Sequence, residues 1–294
     1  MRPIADQVVL VTGATDGLGK AVAGDLARRR ATVLLHGRDK ARAEATLREI
    51  RPVTGDARLR VYLADFSSLA QVRGLADAIL AETERLDLLI NNAGVGGAGP
   101  RQESQDGHEL RFAVNYLAPF LLTHLLLPLL RRSAPARIVN VASAGQVPID
   151  FDDLMLTRRY DALDAYRQSK FAQIMYTVEL AERLRAQGDA HVTVNALHPA
   201  SLMPTKMVFE FLRSPMSTLE EGMEATLHLA IAPDLDGVTG RYFNGLREAR
   251  ALQQAYDLEA RGRLWAISEQ LCGLAGKAPT DTPSGPRPSR RGGS

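Results

Sequence analysis

Residues 8–19 read VVLVTGATDGLG, and this stretch decides the fold. Val8 to Thr12 is a short apolar run with the β-branched content of a strand buried on both faces. It passes directly into a glycine-rich turn and then into a helical pattern, Leu18–Arg30. Gly13 permits a tight exit from the strand, Gly17 lets the backbone approach a diphosphate, and Gly19 lets the helix pack close to the sheet. A helix starting there turns its free N–H groups and the positive end of its dipole toward phosphate. A strand-to-helix turn that binds nothing could carry the same glycines, so the rest of the chain must decide.

Further along, apolar runs alternate with amphipathic stretches. Thr32–His36, Leu59–Leu63, Leu86–Asn91, Arg137–Ala142 and His191–Leu197 read as strands, with Tyr242–Phe243 as a further short one. Lys40–Ile50, Leu69–Arg85, Glu109–Arg131, Ala165–Ala186 and Leu219–Ala232 carry the helical period between them. This alternation predicts right-handed βαβ crossovers. The expected fold is α/β: a single Rossmann-like, doubly wound parallel sheet of about seven strands with helices on both faces. No Pro/Gly/Ser-rich linker interrupts the pattern, so residues 1–274 are expected to form one domain. The final stretch, AGKAPTDTPSGPRPSRRGGS at 275–294, is expected to be a disordered tail.

Of the 294 residues, 45% are hydrophobic and 24% charged, with 36 basic residues against 34 acidic. The two signs are mixed along the chain, which argues against the basic stripe of a nucleic-acid binder. The single cysteine, Cys272, excludes an internal disulfide and a cysteine metal cluster, and fits a reducing compartment. The six histidines lack ligand-like spacing, so no metal is expected. The most apolar run, Leu117–Leu130, is broken by Thr123, His124 and two prolines, and is shorter than the roughly 20 residues a bilayer span needs. With no leader pattern ahead of Gln7, a cytoplasmic protein without membrane association is expected.

The second strand ends in VLLHGRD, Val33–Asp39. A carboxylate at the strand end would take a ribose 2′-hydroxyl, whereas Gly37 leaves space and the Arg38 guanidinium can grip a 2′-phosphate bidentately. Asp39 is the counter-signal unless it caps the next helix. NADP(H) is therefore favoured over NAD(H). Lys20 either assists or is a solvated first-turn residue. Asp65, past the third strand, could accept from an adenine amino group or cap the helix that follows. NNAG, Asn91–Gly94, closes the fourth strand, where Ala93 and Gly94 would let a cofactor lie close to the backbone and Asn91 could tie neighbouring strands.

Tyr166 and Lys170, in YRQSK, are four residues apart on a helical stretch, so both project from one face. The Lys170 ammonium would favour the Tyr166 phenolate and draw its pKa down from about 10. That suits a carbonyl reduction, which needs a proton donor at the substrate oxygen that serves as base in reverse. Ser143 follows the apolar strand IVNVA and could donate to the same oxygen. Asn115, in FAVNYLAPF, has apolar neighbours, so its amide needs partners. A water relay to Lys170 would supply them, as would a helix–strand hydrogen bond.

TGxxxGxG, Asp65, NNAG, Asn115, Ser143 and YxxxK stand in the order of the short-chain dehydrogenase/reductase family, which the chain resembles from about Gln7 to Phe243. The resemblance implies Tyr166 as acid/base, Lys170 as its pKa tuner and ribose anchor, Ser143 as substrate-oxygen donor and Asn115 as organiser of a proton relay. The implied cofactor contacts are Gly13, Thr15, Asp16, Gly17, Leu18 and Gly19; Arg38, Asp65 and Phe66; Asn92, Ala93 and Gly94; Tyr166 and Lys170; and Pro199 and Thr205. HGRD, DGHELRFAVNYLAPFLLT, FDDL and YRQSKFAQIMYTVELAERL look like the retinol-dehydrogenase-like branch. That branch shares the long Ser143-to-Tyr166 gap, with Ile149–Asp161 inserted.

The family's usual Pro-Gly after the sixth strand is here Pro199-Ala200, so the loop near the nicotinamide should differ. Met203–Ser217 is either an apolar lid, which would suit a lipophilic or secondary-metabolite substrate, or ordinary core packing. GRYFNGLREARALQQAYD, Gly240–Asp257, is expected to form a C-terminal helical element at the substrate mouth. The wide apolar faces of Glu109–Arg131 and Ala165–Ala186 predict a homodimer or homotetramer. The expected partner is a small-molecule carbonyl or alcohol. A catalytically silent NADP(H)-binding regulator on the same fold is the competing reading, and the full Asn115, Ser143, Tyr166 and Lys170 set argues against it.

Overall fold

The computed structural model describes residues 1–54, 58–204 and 215–274. The strands are β1 (Val8–Val11), β2 (Thr32–Gly37), β3 (Leu59–Leu63), β4 (Leu88–Asn91), β5 (Ala136–Val141), β6 (Val192–His198), β7 (Tyr242–Asn244) and β8 (Arg247–Ala249). They form one sheet in the order β3-β2-β1-β4-β5-β6-β7-β8. Neighbours run parallel except β7 and β8, an antiparallel hairpin. The sheet thus exceeds the sequence expectation by β8, whose Arg-Glu-Ala has no apolar alternation to announce it. Its turn is tight, since Asn244 pairs with Arg247 and Gly245 takes φ +59°.

The helices are α1 (Gly17–Arg28), α2 (Lys40–Thr54), α3 (Leu69–Glu82), α4 (Leu110–Phe112), α5 (Ala118–Ser133), α6 (Ala162–Ala186), α7 (Leu219–Ile231) and α8 (Leu258–Leu271). The sequence reads Glu109–Arg131 as one helix. The structure divides it by a π turn at Ala113–Leu117, centred on Asn115. Along β1 the side chains alternate: Val9 and Val11 enter the core beneath α1 and α7, Leu10 the opposite core beneath α3, α5 and α6. Val11 pairs with Leu35 of β2 on one side and Ile90 of β4 on the other. The strand order therefore switches at β1, and a crevice opens at the carboxyl ends of β1 and β4.

The apolar faces expected to meet another subunit are covered within the chain by α8. The Trp265 ring lies 5.3 Å from Phe120 and 5.8 Å from Tyr176, and the Arg183 guanidinium sits 4.1 Å over it. Arg261, nearly inaccessible, pairs with Glu179 at 3.2 Å and Glu182 at 2.6 Å, and Tyr116 shares a 2.7 Å hydrogen bond with Ser268. These contacts cover part of both helix faces within the chain. Burial also accounts for the one described helical stretch long and apolar enough to cross a membrane, Leu110–Ser133, whose apolar window is 78% buried. The expected lid falls largely on 205–214 and the expected tail on 275–294, both outside the described residues.

Candidate active site

The glycine loop is held from three sides. Gly13 takes φ +65°, and a Cβ there would lie 2.8 Å from Ala93 Cα, so the chain just past β4 comes too close for any side chain. A Cβ on Gly19 would lie 2.3 Å from the Gly13 carbonyl oxygen, so the first turn of α1 rests on the loop it follows. Asn92 Nδ2 donates to the carbonyls of Thr12 (2.9 Å) and Gly13 (3.2 Å). The Thr12 hydroxyl accepts from the backbone N–H groups of Asn92 and Ala93. Asn92 is thus in the expected region but works as a clamp on the loop. Gly17 takes φ +49° and opens α1, with Asp16 as its N-cap, accepting from Gly17 N at 2.8 Å. Asp16 also pairs with Arg42 at 3.3 Å. Leu18 packs into the core, and the Thr15 methyl lies against Gly37, where a Cβ would approach it to 2.4 Å.

His36 braces the glycine loop from β2. Its Nδ1 accepts from Gly13 N at 3.3 Å, and its Nε2 bonds the Ala64 carbonyl at 3.0 Å. Phe66 stacks on the ring at 4.2 Å. Burial lowers its pKa to about 4, so it stays neutral and keeps Nδ1 free to accept. Arg38 is exposed and, among the described residues, has no ion pair or hydrogen bond. Asp39 accepts from Arg42 N at 2.9 Å, the capping role. Asp65 caps neither helix nor strand: it accepts from Ser67 N at 2.9 Å, while Ser68 caps α3. Lys20 is paired with Glu49. Asn91 is the strand tie, donating to Asn140 at 2.9 Å and Thr123 at 3.1 Å.

Ser143, Tyr166 and Lys170 meet where β5 ends against α6. α6 starts cleanly because Asp161 accepts from Leu163 and Asp164 N–H groups. The Ser143 side chain lies close to the Tyr166 phenol; burial raises the phenol's pKa and the nearby serine opposes that rise. The Ser143 hydroxyl accepts from Gly145 N at 3.1 Å, and the buried Tyr242 hydroxyl donates to the Ser143 carbonyl at 3.1 Å, fixing its backbone.

The Lys170 amine has two bonding partners within the chain. It donates to the Val141 carbonyl at 2.7 Å and to Gln173 Oε1 at 3.1 Å, and burial lowers its pKa to about 7. Asn115 makes no direct bond to Lys170. Its Oδ1 accepts from Val95 N at 2.7 Å, and its Nδ2 donates to the Val95 carbonyl (3.0 Å) and Ser169 Oγ (2.9 Å). The π turn carries that amide onto the loop after β4, where both of its N–H groups and one lone pair of its oxygen are engaged.

Both groups nevertheless border Gly94. A Cβ there would lie 3.2 Å from Asn115 Oδ1 and 3.4 Å from Lys170 Nζ. Together with the bare backbone at Gly13, this leaves a cradle at the strand ends that side chains would fill, and it fits a dinucleotide lying close to the main chain. Pro199 lines a separate cleft with Ser201, Glu224 and Asn244, and Thr205 lies outside the described residues. Among the described residues no group of acidic, histidine or cysteine side chains could hold a metal.

The family model for short chain dehydrogenases matches residues 7–214. Mouse retinol dehydrogenase 13 is 40% identical over 289 residues, covering 92% of this chain and 85% of that protein. A crystal structure from Mycobacterium paratuberculosis, of an uncharacterized protein, superposes with a TM-score of 0.75 at 31% identity, covering 93% and 96% of the two chains. A short chain dehydrogenase from Shigella flexneri complexed with NADP gives 0.66 at 28% identity, covering 82% and 98%. The strand order, the glycine loop and these matches agree, and the chain belongs to the short chain dehydrogenase family, in its retinol-dehydrogenase-like branch.

Proposed function

We propose that this protein is an NADP(H)-dependent oxidoreductase that interconverts a ketone or aldehyde with the corresponding alcohol, with Tyr166 handling the proton. The observation that carries the reading is the meeting of the Ser143 hydroxyl, the buried Tyr166 phenol and the buried Lys170 amine at the carboxyl end of β5. When bound, the nicotinamide supplies or accepts the hydride. The Gly13–Gly19 loop and the start of α1 would hold its diphosphate, Ala93 and Gly94 its nicotinamide half, Lys170 the adjoining ribose, and Asp65 and Phe66 the adenine side.

In the reducing direction, Ser143 donates to the substrate oxygen and orients it. Tyr166, kept protonated by burial, gives its proton to that oxygen as the carbon is reduced. The phenolate left behind is stabilised by Ser143 and by the positive charge on Lys170 when that amine is protonated. In oxidation the same phenolate takes the alcohol proton. Asn115 holds Val95 and Ser169 in place around the site.

NADP(H) is favoured over NAD(H) on two observations. Asp39 spends its carboxylate on the α2 cap, and Arg38 is exposed with no described partner to compete for a 2′-phosphate. The name of the retinol dehydrogenase relatives supports a lipophilic substrate. A panel of ketones, aldehydes and alcohols followed by NADPH absorbance, with NADH in parallel, tests both parts. Turnover of lipophilic carbonyls with at least tenfold preference for NADPH is expected. No turnover of any substrate, or preference for NADH, would refute the corresponding part.

A further inference from the structure

Gln173 is fully buried one turn beyond Lys170 on α6. Its Oε1 accepts from the Lys170 amine at 3.1 Å, while its Nε2 has no acceptor among the described residues. A buried amide with an unpaired donor is costly, and a leucine of similar size would avoid the cost. The side chain's polar contact in the structure is the one to Lys170. Its backbone carbonyl accepts from Thr177, whose hydroxyl accepts in turn from Asn140 Nδ2 at 2.8 Å, so the helix here is anchored to the strand network at β4 and β5.

We propose that Gln173 is a positioning residue for the proton chemistry: with the Val141 carbonyl, it fixes the Lys170 amine and supports its charged form. An ammonium has three N–H groups. Two are taken by Val141 and Gln173, so one remains for the crevice, beside Gly94. Both acceptors are neutral, which favours the cation without trapping it in a buried ion pair. The groups facing the amine are Gly94 from the end of β4, Asn115 from the π turn, Val141 from β5, and Gln173 on its own helix, none of them titratable. Tyr166, one turn back on α6, is the nearest titratable member of the site. Gln173 is therefore the side chain through which the charge on Lys170 is set.

This rests on the reading of Tyr166 and Lys170 given above, so the test has one arm that needs no turnover. The chain has five lysines, at 20, 40, 170, 206 and 277. In cofactor-free protein labelled with ¹³Cε-lysine, the Lys170 signal is assigned by its loss in Lys170→Arg and titrated by NMR. Gln173→Leu is expected to lower the Lys170 midpoint by about one pH unit, and the isosteric Gln173→Glu to raise it by at least as much. Gln173→Leu should melt at or above the wild-type temperature, because its cost falls on charge placement and not on packing. In the active enzyme, the alkaline limb of kcat/KM should move the same way as each midpoint.

Midpoints for both variants within 0.3 units of wild type would overturn the proposal, as would kcat/KM limbs that stay put while the midpoints move. A merely structural role would lower the amplitude of the profile without shifting its limbs. If the midpoints shift as expected and the wild-type protein turns over no carbonyl, the coupling of Gln173 to Lys170 stands and the catalytic reading fails.

Discussion

Adding one methyl group at Gly19 tests the construction of the cofactor cradle. In Gly19→Ala the new Cβ would lie 2.3 Å from both the Gly13 carbonyl oxygen and Asn92 Nδ2. A carbon–oxygen contact needs about 3.3 Å, so loop and helix must separate by roughly 1 Å. Gly13 cannot yield toward β4, because its own Cα position already excludes a side chain against Ala93. The displacement therefore costs overpacking strain of about 1–3 kcal/mol. It also weakens the two Asn92 bonds to the Thr12 and Gly13 carbonyls, at about 1 kcal/mol each. A total of about 3–5 kcal/mol should lower the Tm by at least ~4 °C. Because the displaced atoms are those proposed to meet the diphosphate, NADPH affinity should fall at least tenfold, measured by fluorescence titration. A Gly19→Ala protein with wild-type Tm and wild-type NADPH affinity would refute the packing argument.

Arg38→Ala removes an exposed side chain with no described partner, so stability should not change. The KM for NADPH should rise by about tenfold or more, the loss of a charge-assisted phosphate contact, while that for NADH stays constant; equal effects on both would contradict the 2′-phosphate role. His36 has its folded pKa lowered to about 4 against an ordinary 6.5. The folded state therefore binds fewer protons, and stability falls as pH drops through that window, by about 3 kcal/mol in full. Urea midpoints between pH 4 and 6.5 should lose that slope in His36→Leu, and an unchanged slope would show the titration lies elsewhere. Arg261→Met removes the 3.2 Å bond to Glu179, which keeps Arg183 at 2.7 Å, together with the bond to Glu182, and should destabilise by about 2 kcal/mol. A loss below 1 kcal/mol in chemical denaturation would mean α8 is only loosely docked.

The parallel sheet was legible because each of its central strands is a continuous apolar run bounded by turn residues, and burial on both faces requires that pattern. β8 was not, since an edge strand needs no apolar alternation, and the Asn244–Gly245 turn signal precedes a polar segment. The positions of Gly13, Ser143, Tyr166 and Lys170 followed from where motifs sit relative to strand ends. Where the Lys170 amine points did not, because that depends on the Val141 carbonyl and on Gln173, which only the packing of α6 on β5 brings together. Asn115 shows the same limit: its sequence context announced a buried amide, while the π turn that carries it to Val95 has no sequence signature. The apolar faces of the two long helices were read as a subunit interface, because α8, which packs on them within the chain, carries only a weak apolar stripe of its own.

The central claim is that the Tyr166 hydroxyl moves the proton at the substrate oxygen. Single-turnover oxidation of bound NADPH by a reactive carbonyl, followed by stopped-flow absorbance in Tyr166→Phe and wild type, measures this directly. The account predicts a fall of about 10²–10⁴-fold in the rate of the chemical step with NADPH affinity unchanged. A phenylalanine variant that oxidises NADPH at the wild-type rate would contradict it.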